Sequence, residues 1–201
     1  QTIDEQISAR SSISGALTCT TGKATIEVTI SGGTAPYKYE VKNKATNTVL
    51  FNSGDITGPT FTYTDVPGTY VFTITDKNGC KAVEEQEIKP TEAVTAEHKV
   101  ENVTCYDAAN GYVDITPLTG VAPFTYQFNG TGAFGTATHY GPLAGSVAGI
   151  TYSYIVKDNL GCEESYTFKV FQPEELMPSA SISTQYTCET SATITASAIG
   201  G

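Results

Sequence analysis

The stretch "TITDKNGC" at residues 73–80 has a near copy, "IVKDNLGC", at residues 155–162. The two copies lie 82 residues apart, counted from Asp76 to Asp158. This spacing is too long for a repeated helix pair and suits a repeated domain. In each copy an apolar run ends in a turn that finishes with Gly-Cys. We therefore expect a whole β-domain to be repeated, with this turn near its end.

The residues of these turns indicate a structural role. Asp76 and Asp158 can accept backbone hydrogen bonds, while Gly79 and Gly161 supply the left-handed residue of a type I turn with a glycine bulge. The pattern predicts a hairpin connection between the last two strands of each repeat. We assign these aspartates no catalytic role.

The repeat extends outward from these turns. "EQISARSSISGALTC" opens the first copy and "EAVTAEHKVENVTC" the second, and the copies close at Pro90 and Pro173. A third opening, "EELMPSASISTQYTC", leads into "SATITASAIGG". The predicted domains are repeat 1 at 1–90, repeat 2 at 91–173, and the N-terminal part of a truncated repeat 3 at 174–201. Such an array predicts a longer parent protein.

The third opening is too short to form a core. Two strands cannot bury an apolar interior, so residues 178–201 are expected to pack on the second repeat, to pair with another chain or to stay mobile.

Within each repeat, apolar and polar residues alternate, as in "ATIEVTI" at 24–30 and "TYVFTIT" at 69–75. Short alternating strands between clusters of Gly, Pro, Asn and Asp indicate an antiparallel sandwich. About seven strands per repeat suit an immunoglobulin-like sandwich. The predicted fold class is all-β, with tandem immunoglobulin-like antiparallel β-sandwich repeats. The first repeat is predicted to have strands near 5–13, 24–30, 36–42, 47–51, 60–64, 69–75 and 82–88.

Composition argues against several function classes. The formal net charge is −10 and the sequence has no Lys/Arg cluster, so nucleic-acid binding is not expected. No apolar run approaches the ~20 residues that a bilayer requires, so membrane insertion is not expected. The chain begins at Gln1 without a signal sequence, which suggests a processed protein or a piece of a longer one.

Enzymatic chemistry has little support in the sequence. His98 and His139 are isolated and are expected to be surface residues, with no metal-ligand spacing around them. Carboxylate pairs such as Glu84 and Glu85 lie side by side on predicted strands, where neighbours point to opposite faces. We therefore predict no catalytic residue, no metal and no cofactor, and we do not expect an enzyme.

The combination of "SGGTAPYKY", "GTYVFTITDKNGC" and "EIKP" resembles the SprB repeat. Nearly the whole chain shares the pattern, as two full copies and a partial one. Members of that family often carry a tryptophan after the Pro-Tyr stretch, where this chain has Val41 and Phe128. The resemblance implies a surface-anchored extracellular protein that is exported by the type IX route and takes part in adhesion or gliding motility.

The resulting hypothesis is a stalk or filament region of a large bacterial surface adhesin. The expected partners are neighbouring repeats of the same chain, with a surface polysaccharide or the cell-surface motility machinery as further candidates. The alternative is a carbohydrate-binding accessory module of a secreted polysaccharide-degrading enzyme. For ligand contact the sequence offers one aromatic group in the loop 129–149, formed by Phe134, His139 and Tyr140.

The five cysteines are widely spaced and suggest disulfides in an oxidising compartment. Pairing within repeats would give Cys19–Cys80 and Cys105–Cys162. In an immunoglobulin-like topology, however, the first and last turns lie at opposite ends of the sandwich, beyond the ~7 Å limit between bridged Cα atoms. Staggered pairing between repeats gives Cys19–Cys162 instead. Cys80, Cys105 and Cys188 then pair with repeats outside the chain. Both schemes stay open at this point.

Overall fold

The computed structural model describes residues 6–201, which form fifteen β-strands and no helix. The chain divides into two compact units. The first runs to Glu92 and also takes in Leu160–Cys162, while the second comprises Ala93–Asn159 and Glu163–Gly201. The predicted boundaries at 90 and 173 stay predictions.

The first unit is a two-sheet sandwich of seven antiparallel strands. One sheet has the order β1-β2-β5 and the other β4-β3-β6-β7. The strands are β1 Ser8–Gly15, β2 Ala24–Ser31, β3 Lys38–Asn43, β4 Val49–Asn52, β5 Thr60–Asp65, β6 Gly68–Thr75 and β7 Lys81–Ile88. This is the strand pairing of an immunoglobulin-like sandwich, so the predicted fold class is confirmed. The first predicted strand began at Glu5, which lies outside the described residues.

Alternation along the strands builds the core of this unit. In β2, Ile26, Val28 and Ile30 are buried and the residues between them are more exposed. Phe72 and Ile74 in β6 enter the same core from the other sheet. Because the side-chain period of a strand is two, the apolar pattern fixes which face of each sheet points inward.

A hydrogen bond from a buried tyrosine holds the corner before β6. Tyr70 is 1 % exposed, and its hydroxyl donates a hydrogen bond to the Val66 carbonyl over 2.7 Å. Immunoglobulin-like sandwiches use this arrangement, the tyrosine corner, at the same place. The second unit has a counterpart in which the Tyr152 hydroxyl donates to the Ala144 carbonyl over 3.1 Å.

The second unit repeats most of this plan. Its sheets have the orders β11-β9-β8 and β10-β12-β13, with a separate hairpin of β14 and β15. The strands are β8 Thr95–Glu101, β9 Gly111–Thr119, β10 Thr125–Phe128, β11 His139–Leu143, β12 Ile150–Lys157, β13 Glu163–Val170, β14 Met177–Thr184 and β15 Thr193–Ile199. Within the described part of this unit no strand takes the place of β4.

The β14–β15 hairpin has the same strand register as the β1–β2 hairpin, but its side chains are not buried. Ile182 pairs with Ile194 next to a bulge, just as Ile13 pairs with Ile26 next to a bulge. Every residue of β14 and β15 is exposed. The hairpin therefore has the shape of a sandwich opening, but its apolar residues are uncovered.

Candidate functional site

The cysteines lie in two kinds of turn. Cys19, Cys105 and Cys188 lie between the paired strands that open each copy, in the β1–β2, β8–β9 and β14–β15 connections. Cys80 and Cys162 lie in the hairpins between the last two strands, β6–β7 and β12–β13. We call the first kind opening turns and the second kind closing tips.

In the first unit these turns lie at opposite ends of the sandwich. Cys19 precedes the start of β2. The closing tip of Cys80 lies at the other end, because Asp76 in that tip accepts a hydrogen bond from the N–H of Thr34, which follows the end of β2. The eight residues of β2 span about 26 Å at the usual rise per residue. A disulfide between Cys19 and Cys80 would have to cross that length.

The structure joins Cys19 to Cys162 by a disulfide across 143 positions of sequence, with 5.0 Å between their Cα atoms. The Cys19 N–H donates to the Leu160 carbonyl over 3.0 Å beside this bond. Cys162 is buried and Cys19 is exposed. Among the described residues Cys80, Cys105 and Cys188 are free and exposed. Their pairing with other repeats stays a prediction.

A pair of threonine hydroxyls braces the opening turn around Cys19. The Thr21 N–H donates to Thr18 Oγ1 over 3.0 Å, and the two hydroxyl oxygens are 2.9 Å apart. The Cys19 Sγ atom lies 3.3 Å from the Thr91 hydroxyl. Sequence reasoning missed these threonines, although the pattern Thr-Cys-x-Thr at 18–21 recurs at 187–190.

A buried carboxylate organises the closing tip that carries Cys80. Asp76 accepts backbone N–H groups from Thr34 at 3.0 Å, Asn78 at 2.9 Å and Cys80 at 2.8 Å. Burial works against its ionisation, but these backbone donors outweigh burial and lower the pKa of Asp76. Gly79 takes the left-handed conformation, with φ 87°.

The closing tip that carries Cys162 is similar. Asp158 is buried and accepts the Val121 N–H over 3.1 Å, as Asp76 does from Thr34. Gly161 has φ 78°. A Cβ atom on Gly161 would meet Thr20 at an ordinary contact distance of 3.5 Å, so this glycine lies against the opening turn.

The structure does not bring the three predicted ligand-contact residues into one cluster. Phe134 lies under the Lys157 ammonium, with 5.1 Å from Nζ to the ring centre. His139 Nδ1 lies 2.7 Å from Asp114, and Tyr140 stacks on Phe128 with ring centres 4.6 Å apart. His139 and Tyr140 are neighbours on β11 and so face opposite sides of the sheet.

The loop 129–149 also contains a strand that the sequence pattern did not show. In β11, Tyr140 pairs with the buried Val113 and is itself half-buried, and burial raises its pKa. The side chain left outside is His139, whose ring lies 4.9 Å from that of Tyr112. His139 is therefore the exposed member of a polar and aromatic group that it forms with the partly exposed Tyr112 and Asp114.

His98 is not the surface residue that we expected. It pairs with the buried Ile115 and is half-buried, with Nδ1 3.1 Å from the Tyr154 hydroxyl. The rings of Tyr166 and Phe168 surround it. A lone histidine gave no sequence signal for this position, because its burial depends on the register of β8 against β9.

Residues 6–201 contain no group of three or more His, Cys, Asp or Glu side chains that could hold a metal ion. The same residues form no helix that is long and apolar enough to cross a membrane.

The protein-family model described as the SprB repeat matches residues 17–46 and 99–133. The first match runs from the opening turn of Cys19 through β2 and β3, and the second takes in the corresponding turn and strands around Cys105. The resemblance that the sequence suggested is confirmed at these two segments. No curated protein matches the chain.

Several solved structures are similar to the chain. The IG1+IG2 segment of DIP-gamma is 11 % identical with a TM-score of 0.42, and the match covers 85 % of this chain and 99 % of that one. A 1.5-MDa bacterial ice-binding adhesin is 14 % identical with a TM-score of 0.49, over 84 % and 64 %. The fibronectin(III)-like modules of Clostridium thermocellum CbhA are 16 % identical with a TM-score of 0.34, over 83 % and 94 %. Similarity at this level bears on neither activity nor partners.

Proposed function

We propose that the chain is an extracellular structural region, a stalk or filament, of a large bacterial surface adhesin that takes part in adhesion or gliding motility. Its role is to hold a binding part of the adhesin away from the cell. The proposal includes export by the type IX route and no enzymatic activity. Its partners are neighbouring repeats of the same protein and, at the cell surface, the motility machinery.

The main support is the disulfide between Cys19 and Cys162. These residues belong to different copies of the sequence repeat and lie 143 positions apart. An opening turn of one copy is thus bonded to a closing tip of the next copy. If each junction of an array carries the same bond, every repeat has a second covalent link to its neighbours besides the backbone, which would limit hinge motion along a stalk.

Two further observations support an extracellular location. Disulfides form and persist in oxidising surroundings such as the cell exterior. The SprB-repeat match supports a surface protein through the resemblance alone. Gliding motility and the type IX route depend on the same resemblance.

The test is disulfide mapping of the native array by mass spectrometry of peptides prepared without reduction. We expect a peptide that links Cys19 to Cys162, and equivalent links between adjacent repeats wherever an opening turn has the form of the one around Cys19. Cys19–Cys80 together with Cys105–Cys162 would contradict the proposal, because repeats would then be independent beads. Small-angle scattering of the same array, before and after reduction, provides a second measurement: the maximum dimension of the array should decrease when the bonds are reduced, because the links between repeats limit hinge motion.

A carbohydrate-binding module is the second candidate function. The observation that favours it is the group of His139, Tyr112 and Asp114, in which the exposed His139 ring lies 4.9 Å from the Tyr112 ring and its Nδ1 lies 2.7 Å from the Asp114 carboxylate. Sugar-binding sites use such groups for stacking and hydrogen bonding. The ligand would be a surface polysaccharide.

A glycan array separates the two candidates. Binding by the chain that is lost in both His139→Ala and Tyr112→Ala would favour the carbohydrate module. Tyr140→Phe is the matched control, because Tyr140 stacks on the inner side of β11 and its hydroxyl should not contribute. Absence of binding across the array would leave the stalk as the better proposal.

A further inference from the structure

The opening turn around Cys188 has the same construction as the one around Cys19. The Thr190 N–H donates to Thr187 Oγ1 over 3.0 Å, and the two hydroxyl oxygens are 2.7 Å apart. The corresponding distances between Thr18 and Thr21 are 3.0 and 2.9 Å. At 18–21 the turn holds a closing tip by a disulfide, whereas Cys188 is free and exposed.

The chain also has a free closing tip. Asn78–Cys80 has the same backbone form as Leu160–Cys162, with left-handed glycines at φ 87° and φ 78°. Cys80 is exposed and unbonded. Each molecule therefore has one free opening turn and one free closing tip, the two parts that the Cys19–Cys162 bond joins elsewhere in the same chain.

Charge favours the meeting of these two halves. Lys77 and Lys81 flank the tip and are exposed, in a chain whose formal net charge is −10. The receiving turn carries an exposed carboxylate, Glu189, where the occupied turn has Thr20. Opposite charges at a contact speed encounter and oppose pairing of like parts, such as two tips.

The opening turn around Cys105 is built differently from those around Cys19 and Cys188. Asp107 has φ 58°, the Ala108 N–H donates to the Cys105 carbonyl, and Asn110 rather than a threonine binds Thr104. The braced Thr-Cys-x-Thr turn is absent around Cys105. The two free opening cysteines therefore differ in the shape that they offer to a tip.

We propose that the Thr187–Thr190 turn of one copy of this chain receives the Asn78–Cys80 tip of a second copy, and that a Cys188–Cys80 disulfide joins them head to tail. This rests on the proposed function in one respect, that the Cys19–Cys162 bond is the pattern of a junction. The contact uses different surfaces on the two copies. It therefore builds open chains or closed rings of molecules and does not stop at a symmetric pair.

The bond forms by thiol–disulfide exchange with an external disulfide oxidant such as oxidised glutathione. The Cys188 thiolate attacks oxidised glutathione, forming a mixed disulfide and releasing one glutathione thiolate. The Cys80 thiolate of the second copy then attacks the Cys188 sulfur and releases the second glutathione thiolate. Two protein thiols are oxidised, and one oxidised glutathione is reduced to two glutathione molecules.

The test uses the full chain of residues 1–201 in a buffer of oxidised and reduced glutathione. Non-reducing electrophoresis should show a ladder of oligomers, and mass spectrometry should find Cys80–Cys188 as the main new link. Cys80→Ser and Cys188→Ser should each abolish the ladder, whereas Cys105→Ser should leave it intact. Links distributed evenly among the three thiols, or a Cys80–Cys188 bond within a monomer, would overturn the proposal.

Two further variants test the turn and the charge separately. Thr187→Val removes the hydroxyl that accepts the Thr190 N–H and contacts the Thr190 hydroxyl. It should lower the share of Cys80–Cys188 links several-fold, while Cys188 keeps its reactivity toward a small thiol reagent. Glu189→Lys should slow the link at least about threefold at low salt, because it replaces an exposed attraction with repulsion from Lys77 and Lys81. Glu175→Lys, with the same change in net charge, is the control. An unchanged link pattern in both test variants would overturn the role of the turn.

This outcome is distinct from that of the proposed function. If copies fail to join but the Cys19–Cys162 bond is found in the native array, the stalk stands and only the self-recognition of copies fails. If the native array has no Cys19–Cys162 bond, the example on which the link between copies is based no longer holds. The proposed stalk and the proposed link between copies then both fail.

Discussion

Asp76 shows how one side chain can hold a hairpin turn in place by accepting backbone N–H groups that would otherwise have no partner in the turn. Its carboxylate gathers N–H groups from Thr34, Asn78 and Cys80, across the gap between two turns of the first unit. Because these donors favour the ionised form, they lower its pKa below the ordinary 3.8. A group with a lowered pKa in the folded state stabilises the fold above its unfolded value, and that stabilisation is lost as the pH falls through the folded value.

We therefore predict that Asp76→Asn destabilises the first unit at neutral pH, because an amide cannot accept as many N–H groups. The difference from the unchanged chain should shrink as the pH falls below 3.8, where the unfolded chain begins to bind a proton at this position, and then through the lower pKa of folded Asp76. Urea unfolding at several pH values measures this. Asp55→Asn is the control, since Asp55 is an exposed partner of Lys38. Equal midpoints for Asp76→Asn and the unchanged chain at neutral pH would contradict the prediction.

The hydroxyl of Tyr70 supports a second prediction at this scale. Burial, with the nearby Asp65 carboxylate, raises the pKa of Tyr70 to about 12, so the hydroxyl keeps its proton and its bond to Val66 throughout the neutral range. Tyr70→Phe should lower the free energy of unfolding by about 1–2 kcal/mol. Tyr152→Phe, where the bond to Ala144 is longer and more exposed, should cost less. A larger loss in Tyr152→Phe would show that the corner is not the cause.

At the scale of strands, much of the fold could be predicted because alternation is a direct signal of a strand with one buried face. The predicted strands at 24–30 and 69–75 lie within a residue of β2 and β6. The candidate site was harder. Tyr140 was expected to be exposed, but β11 is a strand with a register shift, and alternation is weak where pairing is irregular. The threonine braces depend on turn geometry, which side-chain patterns do not show.

The two hairpins with the same register offer a matched test of burial. Ile26 in β2 is 0 % exposed, while its counterpart Ile194 in β15 is 68 % exposed. Ile26→Ala should lower the free energy of unfolding by roughly 2–5 kcal/mol, the usual cost of a core cavity. Ile194→Ala should change it by less than about 0.5 kcal/mol. Chemical denaturation measures both. A large effect of Ile194→Ala would mean that β15 is covered in solution.

At the scale of the whole molecule, the Cys19–Cys162 bond restricts the unfolded chain more than the folded one. It closes a loop spanning 143 positions, and a bond across a long loop removes much freedom from the unfolded state. We predict that Cys19→Ser with Cys162→Ser lowers the free energy of unfolding by about 2–5 kcal/mol. Cys80→Ser with Cys105→Ser removes two free, exposed thiols and should have little effect. Unchanged denaturation midpoints in the first double variant would contradict this prediction.

The same bond also decides which covalent path carries tension. A pull between the segment before Cys19 and the segment after Cys162 passes from one sulfur to the other and bypasses the residues between them. Those residues would reach roughly 500 Å if fully extended. That length of chain cannot be extended while the bond is intact, so most strands of both units bear no direct load. A reductant, not a stronger pull, is what would release it.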